Sequence, residues 1–390
     1  MVDFCVGVVI AAAGSGSRLG GSIPKQYQKI FDKPLLLYAI EEFNKITYIK
    51  KIALVVDNLE KVKAILQEFG LENAHKIFLV KGELTRHRSI RAGLQELQKN
   101  DDELRVVIIH DGVRPIIPES LVKDLVISAD QHGAAGAIRP LVSTVLRLSN
   151  DNILEESLDR SIHVASETPQ AFQLTVIVAA YNKCLEEDLD TGTECLQLAL
   201  KYCGIRAKLI QGSEDLWKVT YKKDLYTAQA SIREKKIDVC VISEEKISAA
   251  SLLVDSLSNH VSTVKRVINI TDSDHCSTEK KQATFNTVVL FHEHEIQDQH
   301  LVDFSTMLDL DRQGLIIHVI DNANVDGMQS MSVYNLHRSG RTMAHHYEKL
   351  HKGVVVIHCI TNNEDQRLVD LVTSLILADS TTFSGQTLFI

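Results

Sequence analysis

The stretch VVIAAAGSGSRLGGSIPKQY, from Val8 to Tyr27, decides how the first part of the chain is read. An apolar run of strand character breaks into a loop rich in glycine and serine, which carries Arg18 and is followed by Lys25. Parallel α/β proteins present backbone N–H groups to phosphates in this way, at the carboxyl end of a buried strand. A dinucleotide fingerprint needs G-x-G-x-x-G, but Leu19 stands where the third glycine belongs, and Asp57 lies too far along to hold a ribose. A P-loop needs lysine directly after its last glycine, and Ser22 follows Gly21. A purely structural turn also fits the glycines alone. The basic pair favours a phosphate, because Arg18 and Lys25 can face one anion above the loop's amides.

Working outward, short apolar runs alternate with amphipathic segments. Val6–Ile10, Ile52–Val56, Ile77–Val80 and Val106–Ile109 read as buried strands. Pro34–Phe43, Glu60–Phe69, Ile90–Gln98 and Leu121–His132 read as the helices between them. The expected class is α/β, with a mostly parallel sheet and helices on both faces. Ala137–Leu148 reads as an extended arm, Thr191–Tyr202 as a helix, and Lys208–Ile210 and Trp217–Val219 as short strands. A helix from Asp224 to about Lys235 closes this unit. Apolar runs at Ile237–Ile242, Val288–Phe291, Leu315–Ile320 and Val354–Ile357, with a last helix at Asp365–Leu377, predict a second, smaller α/β domain. The expected division is 1–236 and 237–390.

A chain of 390 residues suits two domains, and an apolar fraction of 45% can bury a sizeable core. The net charge of −9 argues against a general nucleic-acid binder, while leaving room for a local basic pocket. Seven scattered cysteines without a C-x-x-C pair predict reduced thiols in the cytosol. The residues before the first apolar run include Asp3 and no Lys or Arg, the wrong flank for a secretion signal. No apolar run is long enough to span a membrane.

Other motifs carry chemistry. VVIIHDGVRP places Asp111 and Arg114 just past a strand, where a carboxylate suits Mg²⁺ or merely a turn. KGELTRHRSIRAGL places Gly82, Arg86, Arg88 and Ser89 ahead of a helix, with Ser89 able to cap it or to bond a base. IRPLVSTV, LDRSIHVASETPQAF and DLWKVT add Thr144, Arg160, Thr168, Asp215 and Lys218.

Gly14–Arg18 with Pro24-Lys25-Gln26 resembles the G-x-G-x-R and P-K-Q signature of sugar-phosphate nucleotidyltransferases. His110–Pro115 resembles the metal-binding H-D-x-x-R-P of cytidylyltransferases. From Met1 to about Lys235 the chain resembles the methylerythritol 4-phosphate cytidylyltransferase family, most of all its animal branch, which acts on ribitol 5-phosphate. Gly192-Thr193-Glu194 replaces the T-D-E of the isoprenoid enzymes, and the chain runs on far enough for another domain.

The resemblance implies a Rossmann-like nucleotidyltransferase domain that joins CTP to a polyol phosphate. Ribitol 5-phosphate is the expected acceptor, serving O-mannosyl glycan synthesis, with methylerythritol 4-phosphate as the alternative. It implies that Ala12, Ala13, Gly14, Gly16, Gly82, Ser89 and Asp111 hold the nucleotide, and that Arg18, Lys25, Arg160 and Lys218 are catalytic. Arg114, Thr144, Arg160, Thr168 and Lys218 would meet the acceptor, and Asp111 with Asp215 would hold Mg²⁺. It also implies a homodimer, through the arm that carries Thr144 and Arg160. A non-catalytic binding protein on the same fold is the remaining alternative. The second domain shows no comparable motif. His292 and His294 in FHEHE have a spacing that metals can use but no third ligand nearby, while the adjacent His345 and His346 would point apart. Its expected work is scaffold or partner surface.

Overall fold

The structure, a computed structural model, describes residues 2–14, 23–71, 75–99, 103–268, 285–292, 307–309, 312–321, 337, 338, 341, 342, 344, 345, 347, 352–359, 365–378 and 382–390. The chain divides into two compact units, Met1–Gln229 and Ala230–Ile390. The division falls inside a helix, a few residues before the expected one.

In the first unit β1 (Cys5–Ala12) leads to a small hairpin, β2 (Lys29–Ile30) with β3 (Lys33–Pro34), and then α1 (Leu35–Lys45). Next come β4 (Ile49–Val56), α2 (Leu59–Glu68), β5 (Ile77–Lys81), α3 (Arg86–Gln98), β6 (Leu104–Asp111) and α4 (Glu119–His132). After β7 (Ala134–Pro140), the two-stranded arm β8 (Leu146–Leu148) and β9 (Leu154–Ser157) precedes β10 (Val164–Gln173). The unit ends with α5 (Leu174–Lys183), α6 (Glu186–Thr191), α7 (Cys195–Cys203), β11 (Lys208–Gln211) and α8 (Lys222–Glu234), the helix in which the division falls.

Seven strands form one sheet in the order β11-β7-β10-β6-β1-β4-β5, with β10 antiparallel to both neighbours and the other pairs parallel. Alternation along β1 explains its two covered faces. Val6, Val8 and Ile10 join α1 and α4 in one core, and Val9 joins α3, α5 and α7 in the other. All four are fully buried, as a strand between two helical layers requires. The chain leaves β1 toward β4 on one side and returns to β6 on the other. A crevice therefore opens where β1 and β6 end, the usual place for a ligand in such sheets.

Apart from Trp217–Val219, the predicted strands and helices lie in the expected order, several with different limits. Helix α3 begins four residues before Ile90, because Thr85 caps it by accepting from the Arg88 N–H at 3.3 Å. Ala137 belongs to β7 and is fully buried; the arm proper starts only after Pro140. Trp217–Val219 is not a strand: the Val219 amide bonds one carbonyl, that of Val113, and no ladder forms. Thr191–Tyr202 divides into the end of α6 and most of α7. Strand β10, with Pro169 and mixed polarity, has no periodic signal; pairing with β6 and β7 makes it a strand.

The second unit contains β12 (Asp238–Ser243), α9 (Ser248–Leu257), β13 (Thr263–Ile268), β14 (Thr287–His292), β15 (Gly314–Asp321), β16 (Lys352–Cys359), α10 (Asp365–Leu377) and β17 (Gln386–Phe389). Its six described strands are parallel throughout, in the order β13-β12-β14-β15-β16-β17. Val239 and Val241 pack with α9 and α10, while Cys240 and Ile242 line the opposite core.

Candidate active site

Asp111 is the last residue of β6, and its pairing with Ala11 sets it in the crevice beside the end of β1. A cavity of about 490 Å³ opens there, lined by Ala11–Gly14, Lys25, Gln26, Glu83–Arg86, Ser89, Asp111, Val113 and Lys218. These residues come from distant parts of the sequence and include three cations.

Asp111 is 5% exposed and binds three cations. Its Oδ1 accepts from Arg86 Nε at 3.1 Å and Nη2 at 3.0 Å. Its Oδ2 accepts from Lys218 Nζ at 3.0 Å and from Arg114 Nε at 3.4 Å. Burial pushes this carboxyl group up, but the charges of Arg86, Lys218 and Arg114 more than offset it and hold it well below the usual carboxylate range. Asp111 is therefore an anion at neutral pH.

A second layer of bonds fixes the cluster. Arg86 Nη1 donates to the Thr193 carbonyl at 3.1 Å. The buried Arg114 is clamped by Glu167 and the Leu216 carbonyl. Thr168 Oγ1 accepts from the Asp111 amide at 3.3 Å and lies 3.2 Å from His110 Nδ1, while His110 Nε2 lies 3.1 Å from the Arg114 carbonyl. A carbonyl can only accept, so the His110 proton sits on Nε2 and Thr168 donates to Nδ1. Burial depresses His110 to about 4, which keeps the ring neutral.

Ala13 and Gly14, where the glycine loop begins, are held by close packing. A Cβ on Gly82 would stand 2.2 Å from that of Ala13, so only glycine lets the end of β5 lie against the loop. Gln26 Nε2 donates to the Gly14 carbonyl at 3.0 Å, and Lys25 Nζ lies 3.4 Å from the Val219 carbonyl. Lys25 and Lys218 thus reach one cavity from opposite ends of the unit.

The structure gathers Ala12, Ala13, Gly14, Lys25, Ser89, Asp111 and Lys218 at the cavity, with Gly82 packed behind it. Gly16 and Arg18 lie outside the described residues. Ser89 does not cap α3. It accepts from the Glu83 amide at 2.9 Å and pins the loop lining the cavity. Arg114 and Thr168 do not line the cavity but lie behind Asp111, where they orient it. Thr144 and Arg160 sit exposed at the arm, with Arg160 Nη1 donating to the Val142 carbonyl, and neither lines the cavity within this chain. Asp215 is half-buried in the turn Glu214–Leu216, also outside the cavity lining. Arg86 and His110 stood in motifs read from the sequence without being assigned to the site. Their contacts join residues 25 apart and 58 apart, and no spacing rule reports them.

No cluster of three or more metal-ligating side chains occurs among the described residues. Asp111 fits Mg²⁺ nonetheless, since that ion commonly takes one or two carboxylates and completes its shell with water and substrate phosphates. In the second unit His292 ends β14 and lies 3.0 Å from His318 Nδ1, whereas His294 and His346 lie outside the described residues.

An α/β unit with a glycine loop, an ion-paired carboxylate and converging lysines at the strand ends has the form of a nucleotidyltransferase. The family model of 2-C-methyl-D-erythritol 4-phosphate cytidylyltransferase (IspD) matches residues 6–234, more than half of the chain, and the chain belongs to this family. It is similar to D-ribitol-5-phosphate cytidylyltransferase of Rattus norvegicus, 45% identical over 68% of this chain and 61% of that protein. It is also similar to the Homo sapiens protein of that name, 45% identical over 67% and 59% respectively. The chain thus spans about three fifths of the length of these relatives. Among solved structures, 4-diphosphocytidyl-2C-methyl-D-erythritol synthase of Anaerococcus prevotii aligns with a TM-score of 0.50 at 25% identity, covering 59% of this chain and 96% of that one. No described helix is long and apolar enough to cross a membrane.

Proposed function

We propose that the chain transfers the cytidylyl group of CTP to D-ribitol 5-phosphate, giving CDP-ribitol and pyrophosphate. One observation carries this reading: Lys25, Arg86 and Lys218 line a single cavity with Asp111, in a chain whose relatives are named for that reaction. An oxygen of the acceptor phosphate attacks the α-phosphorus of CTP, and the bond to the β-phosphate's bridging oxygen breaks. The acceptor's second pKa is about 6, so the nucleophile is already an anion at neutral pH and needs no general base.

The obstacle is repulsion between a dianion and a triphosphate, and the residues suit its removal. Lys25, with Arg18 of the same loop, would stabilise charge on the α-phosphoryl oxygens and the leaving pyrophosphate. Lys218 would take the acceptor phosphate. Asp111 would be the protein's Mg²⁺ ligand, with Asp215 as a second in the bound state. When bound, Mg²⁺ would supply further neutralising charge on the triphosphate. The exposed arm bearing Thr144 and Arg160 would complete the acceptor site of a neighbouring copy, which makes the working unit a homodimer. The described cysteines are all free, in keeping with a cytosolic setting. The product would supply ribitol phosphate to glycan synthesis.

The test is pyrophosphate release from each of the four nucleoside triphosphates, with ribitol 5-phosphate and methylerythritol 4-phosphate as acceptors. Turnover only with CTP and ribitol 5-phosphate is expected. Preference for methylerythritol 4-phosphate would reassign the substrate, and absence of both turnover and CTP binding would leave a protein that is not an enzyme. A monomeric mass in solution would refute the dimer.

A further inference from the structure

The three cations on Asp111 are not equally held. Arg86 is fixed at both ends of its guanidinium, with two nitrogens on Oδ1 and the third on the Thr193 carbonyl. Arg114 is buried and clamped by Glu167 and the Leu216 carbonyl. Lys218 differs. Among the described residues its Nζ bonds only Asp111 Oδ2, its side chain is 30% exposed, and it sits on an irregular segment rather than a helix or strand. A carboxylate offers about four lone-pair directions, and here all four carry a cationic N–H. No direction remains for another cation until one donor leaves. Lys218 is the donor that can leave at the cost of one charge-assisted bond, whereas either arginine would strand several partners.

We propose that Lys218 is a displaceable counter-ion: it neutralises Asp111 in the empty site, yields Oδ2 to the cation that accompanies the nucleotide, and turns its ammonium to the acceptor phosphate. The second half of this cycle rests on the proposed cytidylyl transfer, while the first half needs only the geometry of the empty site. One side chain then links the arrival of the nucleotide to readiness for the acceptor. A lysine suits this role because its ammonium is a point charge on a flexible stem, which a planar, two-toothed arginine is not. Arg86 acts as the complementary positioning residue, holding Oδ1 so that Oδ2 keeps its aim when Lys218 departs.

The experiment is titration of Mn²⁺ into the full chain without nucleotide, with free Mn²⁺ read by its electron paramagnetic resonance signal. Removing a unit charge and a competing donor beside Asp111 should tighten binding, so Lys218→Met is expected to bind Mn²⁺ roughly tenfold more tightly than the unaltered chain. Adding Asp111→Asn should remove the gain. Unchanged or weaker Mn²⁺ binding in Lys218→Met, or no binding in either protein, overturns the proposal. Lys218→Gln provides a second neutral variant should the methionine form not fold, with melting followed through Trp217. In turnover with CTP, Lys218→Met should need less metal for half-maximal rate yet show a lower kcat. A merely structural role would not lower the metal requirement. The titration involves neither CTP nor turnover, so its failure is distinct from failure of the transferase reading.

Discussion

Toward the carboxyl end of its sheet, the first unit carries Asp111 among Arg86, Arg114 and Lys218; the second carries His292 against His318. Asp111 and His318 are both buried, but the two groups meet the cost of burial differently. In the first unit the charges stay, because each is answered by another. In the second, burial alone depresses His292 to about 4, and burial with its neighbour depresses His318 to about 3, so both rings are neutral at pH 7 and stack 5.3 Å apart. The first arrangement leaves an excess of positive charge facing a cavity, which invites an anion. The second pairs ring to ring through His292 Nε2 and His318 Nδ1, and leaves the buried His318 Nε2 without a hydrogen-bond partner among the described residues. A mostly parallel sheet and a parallel one, with similar aliphatic cores, thus differ in what a ligand would find at their ends.

The largest expected effect is that of Asp111→Ala, which leaves Arg86 without its anion and Arg114 with Glu167 alone. The first unit should lose about 3–5 kcal/mol of stability, read by urea unfolding of Trp217, the only tryptophan of the chain. A loss below about 1 kcal/mol would show that the ion cluster is not what holds this end of the sheet. Next is Lys25→Ala, expected to lower pyrophosphate release by roughly 10²–10³ with the Trp217 melt unchanged. Normal turnover would remove Lys25 from the chemistry.

Acid should affect both units in the same direction. His110 has its pKa lowered to about 4 by burial, whereas the unfolded chain takes that proton near 6.5. The unfolded state therefore binds more protons between these values, and stability is lost as pH falls through that window. His110 alone accounts for up to about 3 kcal/mol. Unfolding followed by Trp217 from pH 7 to 4 should show this decline, and a flat profile would contradict a neutral buried ring. Smaller still is Gly82→Ala, whose methyl group would drive β5 from the loop at Ala13; about 1–3 kcal/mol of stability and weaker CTP binding are expected, by melting and calorimetry. The smallest is the double change His292→Leu and His318→Leu, which should alter the second unit's protection in hydrogen exchange by less than about 1 kcal/mol. A large loss there would mean that the histidine pair, like the ion cluster, is indispensable to its sheet.

Much of the fold could be read from periodicity. The strands β1, β4 and β6 have long apolar runs, and α10 coincides with the predicted Asp365–Leu377, because each buries a face whose repeat is written locally. Ile77–Val80, expected to be a buried strand, forms β5 but is only half-buried, because it lies at the edge of the sheet. Strand β10 could not be read this way, since its extended form depends on partners distant in the chain. The site divides along the same line. Gly14, Lys25 and Asp111 stand in short motifs whose residue types suit phosphate and metal. The share of Arg86 emerges only when α3 is laid beside the end of β6, as does the bond from the Asp111 amide to Thr168 Oγ1.

From its order of residues alone, this protein reads as an α/β chain in two parts whose first part carries residue types suited to phosphate, because hydrophobic period and loop composition act over a few neighbouring residues. Which oxygen of Asp111 is committed, which cation can leave it, and which expected residues stand at the cavity were settled by tertiary structure. Those outcomes depend on distances between groups up to 194 residues apart, and the Coulomb energy of a pair follows separation in space rather than along the chain.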